Sequence, residues 1–415
     1  MKKLVVLVIL DGFGYRKDKA YNAISQAKTP TLDFFYQHFP HTLLAASGPA
    51  VGLPPGCSGN SEAGHTTLGA GHIILQPVTL LDHAIDGNSF FHNTVLHKTI
   101  TQLPTDKKLH IIGLASDAGI HSMTRHIITC VQIAHNHNIH SVFVHALLDG
   151  RDSPPRSASV FLTHLNSALR TIKTGILGSV CGRFYGMDRD KNWERTQAYY
   201  RMLTTRADPP FCSWKHVLDY YYPHQITDEF IPPTLLNPHA VIEPHDGIIF
   251  INVRPDRARQ LTTCFLGSPT LPFKTKNISL TFFITPFSYG TDLQTTELYP
   301  QEPINKTLKE ILNEQNKTVF SIAETEKYAH ITYFFDGGRE EPFSHETRVL
   351  IPSLREKTYE RNPEMSADKI TDAVMKSLQE NPRDFYLINY ANADMVGHSG
   401  NMQQHAKQSN ASMNN

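Results

Sequence analysis

Leu4-Val5-Val6-Leu7-Val8-Ile9-Leu10-Asp11-Gly12 follows directly on Met1-Lys2-Lys3. A basic start and an apolar run imitate a secretory leader, but the run is seven residues long and meets Asp11 without a small-residue cleavage site. It is also far too short to span a bilayer. It reads as a buried β-strand of a cytoplasmic protein, ending in a carboxylate and a turn glycine.

Similar runs recur along the chain: Leu109–Leu114, Ser141–Leu147, Gly247–Val253, Leu280–Pro286 and Phe385–Tyr390. Helical patterns lie between them, at Thr124–Asn136, Ser157–Ile172, Trp193–Leu203, Lys306–Asn316 and Ser366–Asn381. Continuous apolar strands separated by amphipathic helices imply α/β layers with largely parallel sheets. Ligands in such sheets sit at the carboxyl ends of strands, and several runs end in polar motifs: Asp11-Gly12, Asp117, Asp149-Gly150-Arg151-Asp152, Arg254-Pro255-Asp256-Arg257 and Asn392-Ala393-Asp394. The Pro-rich stretch Pro223–Pro244 reads as a surface excursion. The polar tail Gln403–Asn415 has no periodicity and is expected to be disordered.

The chain has 415 residues, enough for two cores. Lys+Arg and Asp+Glu both number 39. No global field therefore draws it to nucleic acid or an anionic membrane, and any anion must be caught by a local basic cluster. Five scattered cysteines without a C-x-x-C pair fit a reducing compartment.

Gly59-Asn60-Ser61-Glu62-Ala63-Gly64-His65 is the strongest chemical signal. A serine in a glycine-flanked turn at the start of a helix exposes its hydroxyl where the helix dipole favours an anion. The bland alternative is an N-cap. Asp394 and His398 stand at i, i+4, so a helical segment would let carboxylate and imidazole converge on one cation; otherwise they belong to a polar loop. Asp11 is a further candidate ligand, and oxygen donors with one imidazole suit an ion such as Mn²⁺. His121, Arg151, Asp152, Arg183, Arg189, Arg254, Arg257 and Lys327 lie in or beside loops that follow strands. Guanidinium groups grip phosphate and carboxylate bidentately, although each alone is an ordinary surface residue. The tract His135, His137 and His140 is set aside as a helix end, and Cys57 as a thiol without a base partner.

The motifs Leu10-Asp11-Gly12-Phe13-Gly14, Gly59–His65, Gly69-Ala70-Gly71, Leu148–Pro155, Met187–Lys191, Arg254–Gln260, Ala323–His330, Gly337–Phe343 and Asn389–His398 occur in order. Together they resemble the cofactor-independent phosphoglycerate mutases of the alkaline phosphatase superfamily. The resemblance implies a phosphatase-like domain split between 1–75 and 302–402, with an inserted transferase domain at 76–301 and a tail at 403–415. It implies that Ser61 takes the phosphoryl group as phosphoserine and returns it to the other hydroxyl of glycerate, without 2,3-bisphosphoglycerate. Two Mn²⁺ ions would assist, Asp11 and Ser61 contacting one, Asp394 and His398 the other. His121, Arg151, Asp152, Arg183, Arg189, Arg254, Arg257 and Lys327 match the substrate-holding positions, and domain closure would exclude water. A monomer with a small-molecule substrate is implied.

Five positions depart from the family pattern: Cys57-Ser58 for Gln-Met, His72 and Leu80 for arginine, and Met123 for histidine. The family's later Ala-Asp-His-Gly motif and its further histidine are not matched after His398, where His405 in the polar tail is the one histidine. The expectation is therefore a truncated chain with incomplete metal sites and weakened activity. An inactive phosphoglycerate-binding remnant and a metal-dependent phosphatase of the same superfamily are the alternatives.

Overall fold

In the computed structural model, residues 3–398 are described, apart from 268–270, 277, 301–303, 305, 355–358 and 360. The tail expected to be disordered lies outside the described residues. In chain order the strands are β1 (Val5–Leu10), β2 (Leu109–Ala115), β3 (Val142–Leu148), β4 (Ile176–Gly182), β5 (Thr234–Leu235), β6 (Gly247–Phe250), β7 (Phe282–Thr285), β8 (Thr296–Glu297), β9 (Val319–Glu324), β10 (Glu346–Ile351) and β11 (Phe385–Tyr390). Contacts divide the chain into two units: Met1–Gln76 with Glu302–Asn415, and Pro77–Gln301.

The first unit is built on a parallel sheet in the order β1-β11-β9-β10. Alternation along the strands supplies two apolar faces. Phe320, Ile322, Tyr386 and Ile388 pack against Ile370 and Val374 of the helix Ala367–Glu380. Val319, Ala323, Phe385 and Leu387 face the other way, onto Ile331 and Phe335. Among the described residues β1 pairs only with β11, and Val5, Val6 and Val8 are exposed.

The second unit holds a seven-stranded sheet, β5-β4-β3-β2-β6-β7-β8, parallel except where β5 meets β4. Ile111, Val144, Val180 and Ile249 share one core with residues of the helices Thr124–Asn136 and Ala158–Ile172. Ile112, Leu147, Cys181 and Phe250 share another with Trp193–Thr204 and Arg259–Leu266. Helices therefore cover both faces, which is why β2 and β3 are buried along their whole length.

Two expectations are corrected. The opening run, read as a buried strand, forms the edge strand β1, whose residues Val5, Val6 and Val8 are exposed because among the described residues it pairs on one side only. Pro223–Pro244 is not a surface excursion: it contains β5, and Ile231, Leu235, Ala240, Val241 and Ile242 are buried. Its prolines sit in a chain that closes the sheet edge beside β4, the kind of edge position that tolerates proline.

Candidate active site

Every strand of the first sheet points the same way, so the residues just past their C-terminal ends meet along one edge. Asp11 follows β1. Lys327 lies on the short helix Thr325–Ala329 after β9, and Asp394 on Asn392–Gly397 after β11. These three strands are neighbours in the sheet. Gly12 permits the approach: its φ is +74°, and a Cβ there would lie 2.5 Å from the backbone of Asp394.

Ser61 arrives on the helix Ser61–Ala70. Asn60, not Ser61, caps that helix, its side chain accepting from Ala63 N at 2.8 Å. The serine hydroxyl is thereby left for other contacts. It donates to Asp11 Oδ1 at 2.8 Å and accepts from Lys327 Nζ at 2.8 Å. Lys327 Nζ also reaches Asp394 Oδ2 at 2.5 Å and Asp11 Oδ2 at 3.2 Å. Burial raises the Asp11 pKa, but the Lys327 charge, His65 and the bonds from Ser61 and Asn389 outweigh it and hold the carboxyl below its usual range. Asp394 Oδ1 lies 3.5 Å from His398 Nε2, at the i, i+4 spacing of a helix, and His398 is largely exposed.

Behind Ser61, His65 Nδ1 contacts the Ser61 carbonyl at 2.7 Å, and Asn389 Nδ2 bonds both His65 Nε2 at 3.0 Å and Asp11 Oδ2 at 3.2 Å. Asn389 is fully buried and its Oδ1 has no partner, a defect that costs about 1–3 kcal/mol. His330 opens a π-helical turn, His330–Phe334, with its ring 5.4 Å from that of His65. Burial, then Lys327 and His65, push its imidazole down to about 4.

The second unit presents its own cluster. Loops following β2, β3, β4 and β6, adjacent strands of one parallel array, carry His121, Arg151 with Asp152, Arg183 with Arg189, and Arg254 with Arg257. Burial, followed by the charges of Arg183 and Arg254, drives His121 down to about 3. Burial and the charges of Arg183, Arg189 and Arg151 lower Arg257. Like charges thus crowd around His121 and Arg257, an arrangement able to receive an anion.

The members differ in freedom. Arg183 is buried and paired with Asp149 at 2.6 Å and with Asp152, so it orders the loops. Arg151, Arg189 and Arg254 are roughly half exposed and lean on Glu229 at 3.4 Å and on Asp256 at 2.9 and 3.7 Å. Asp149 is the hub, accepting from Ser116 Oγ at 2.7 Å as well. Lys327 joins Ser61 in the first unit rather than the arginines. Sequence reasoning did not single out Asn389, His65, Asp149, Glu229 or Asp256; Asn389, His65, Asp149 and Asp256 stood inside quoted motifs, but their partners lie far along the chain.

As for metals, among the described residues no group of three or more His, Cys, Asp or Glu side chains is arranged to hold an ion. The donor chemistry fits one all the same. Two carboxylates and a hydroxyl already converge on a positive charge, the Lys327 ammonium, with one imidazole beside them, and such oxygen-rich sets suit hard or borderline cations.

Comparison with known proteins bears on this arrangement. Residues 81–291 match the family model described as the N-terminus of BPG-independent phosphoglycerate mutase. A 2,3-bisphosphoglycerate-independent phosphoglycerate mutase of Legionella pneumophila (strain Philadelphia 1) is 44% identical over 404 residues, covering 96% of this chain and 78% of its own. The chain belongs to that family. The corresponding protein of Francisella tularensis subsp. novicida is 42% identical over 409 residues, covering 97% of this chain and 80% of its own. Among solved structures, Leishmania mexicana phosphoglycerate mutase, crystallised at low cobalt concentration, matches with a TM-score of 0.72 at 28% identity, over 100% of this chain and 79% of that one. Family membership accounts for a mixed α/β architecture and for an enzyme of the isomerase class that works independently of 2,3-bisphosphoglycerate. Among the described residues no helix is long and apolar enough to cross a membrane.

Proposed function

We propose that this chain interconverts 3- and 2-phosphoglycerate through a phosphoserine at Ser61. The observation that carries the reading is the Ser61 hydroxyl held between the Asp11 carboxylate and the Lys327 ammonium, 2.8 Å from each. Asp11 Oδ1 engages the hydroxyl proton, which turns an oxygen lone pair away from the carboxylate. Lys327 places a positive charge beside the oxygen as it bonds to phosphorus and the bond to the glycerate oxygen breaks. In the return step the other glycerate hydroxyl attacks the phosphoserine and Ser61 Oγ leaves.

His121, Arg151, Arg189, Arg254 and Arg257 are assigned to the carboxylate and phosphate of the substrate, with Arg183 and Asp152 ordering them, and Lys327 serves the transferred phosphoryl group. Mn²⁺ is the cofactor on this reading, with Asp11 and Ser61 as ligands to one ion and Asp394 and His398 to another. Bound there, it would neutralise phosphoryl charge and acidify the serine hydroxyl. Residues 1–75 and 302–402 then form the phosphatase-like domain, and 76–301 the transferase domain. A cytoplasmic monomer suits the five cysteines, all free thiols.

Mixing the protein with 3-phosphoglycerate and Mn²⁺, without bisphosphoglycerate, tests this. The expected result is 2-phosphoglycerate by ³¹P NMR and one added phosphoryl group by intact mass, both abolished in Ser61→Ala. Steady release of inorganic phosphate with no isomer formed would assign a phosphatase instead.

A further inference from the structure

Four side chains close a hydrogen-bonded ring behind the reactive hydroxyl. Ser61 Oγ donates to Asp11 Oδ1, Asn389 Nδ2 donates to Asp11 Oδ2 and to His65 Nε2, and His65 Nδ1 returns to the carbonyl of Ser61. We propose that Asn389 and His65 are positioning residues for phosphoryl transfer, fixing the Asp11 carboxylate and the first turn of the Ser61 helix relative to each other. The proposal rests on Ser61 being the phosphoryl acceptor.

The donor and acceptor roles in the ring are forced. A backbone carbonyl only accepts, so His65 Nδ1 carries a proton, and a neutral ring then presents a bare Nε2 that needs a donor. Asp11 Oδ2, which also faces Lys327 Nζ, accepts from the same Asn389 amide. Among neutral side chains an amide NH₂ supplies two hydrogens from one atom, and the reversed amide would set a carbonyl oxygen against both acceptors. Asn389 serves them at the expense of its own Oδ1, which is buried without a partner. A residue retained only for packing would not carry that defect, since an aliphatic side chain of similar volume avoids it. The geometry also explains why the motif around Ser61 extends to a residue one helical turn later, which does not touch the hydroxyl: His65 is buried and reads the position of the Ser61 backbone.

Two measurements test the ring. In protein labelled with ¹⁵N-histidine, the His65 signal, identified by its loss in His65→Asn, should show Nδ1 protonated, Nε2 bare and a slowly exchanging imino proton. Asn389→Leu should abolish that protection. An Nε2-protonated ring in the wild type, or a His65 signal unchanged by Asn389→Leu, overturns the proposal.

The second readout is phosphoserine formation on mixing with 3-phosphoglycerate and Mn²⁺. Asn389→Leu should slow it about a hundredfold, the scale of a misplaced reacting group, with KM for the phosphoglycerate nearly unchanged. His65→Asn, whose amide overlies Nδ1 and keeps the bond to the Ser61 carbonyl, should retain far more of the rate than His65→Gln. Rates equal to wild type in Asn389→Leu, or equal losses in the two His65 variants, overturn it. If the wild type itself takes up no phosphoryl group, the assignment of Ser61 fails, and the ring is then decided by the tautomer alone.

Discussion

Lys327 is buried with its ammonium in contact with two carboxylates and a hydroxyl. Replacing it by methionine leaves Asp11 and Asp394 facing one another without a counter-charge, and removes the largest of the influences that hold the Asp11 carboxyl down against burial. Because Asp394 is partly exposed, the loss of stability should fall at the lower end for a broken buried pair, about 2–4 kcal/mol in urea unfolding at pH 7.5. A midpoint within error of wild type would refute this. Gly12→Ala should cost about 2 kcal/mol or more, through both the left-handed backbone and the collision with Asp394. Wild-type stability for that variant would mean the turn rearranges freely. At this scale Ser61, Asp11 and Asp394, singled out in the sequence from a glycine-flanked turn and from strand ends, meet around Lys327, and His398 lies beside Asp394. Asn389 and His65 were not legible in the sequence, because their bond spans 324 residues and no local spacing reports it.

Among elements, β2 and β3 are joined by more than their ladder. His110 Nδ1 meets His145 Nε2 at 2.9 Å in the buried sheet, with Asp246 on the far side of His110 and Ser179 beyond His145, and Lys108 near Asp246. Burial lowers both imidazoles, His145 further still through His110 and Lys108, while Asp246 partly opposes the shift in His110. An unfolded histidine takes up its proton near pH 6.5 and these folded ones do not. Their contribution is therefore complete above about pH 6.5 and is lost as pH falls below it towards the folded values. The protein should therefore be less stable at pH 5.5 than at pH 7.5. Urea midpoints that stay level between pH 7.5 and pH 5.5 would contradict it. The strands that sequence reading located were those in which apolar residues dominate, even where one histidine or asparagine interrupts. β4, β9 and β10 escaped it because Gly178 and Ser179, Ser321 and Glu324, and Glu346 and Arg348 break their apolar pattern. Those polar groups are answered only in the folded sheet: Ser321 and Arg348 both bond Glu346, and Lys309 completes the buried cluster.

On the scale of the whole molecule, each hydrophobic cluster of the described residues draws on a single unit. Those of Pro77–Gln301 draw only on residues of that stretch, and those of the first unit only on its two segments. A fragment comprising residues 77–301 should accordingly fold alone, with a single cooperative melting transition and protected amides in β2, β3 and β4. Non-cooperative melting of the fragment would refute independence. The first unit has no such freedom. β1 finds its parallel partner in register with Phe385–Tyr390, and Asn389 reaches Asp11 across 378 residues. On the ribosome, then, the opening strand must wait unpaired while the entire inserted unit is synthesised and can fold. The serine pocket cannot assemble until Asn389 has been made, 378 residues after the carboxylate it steadies.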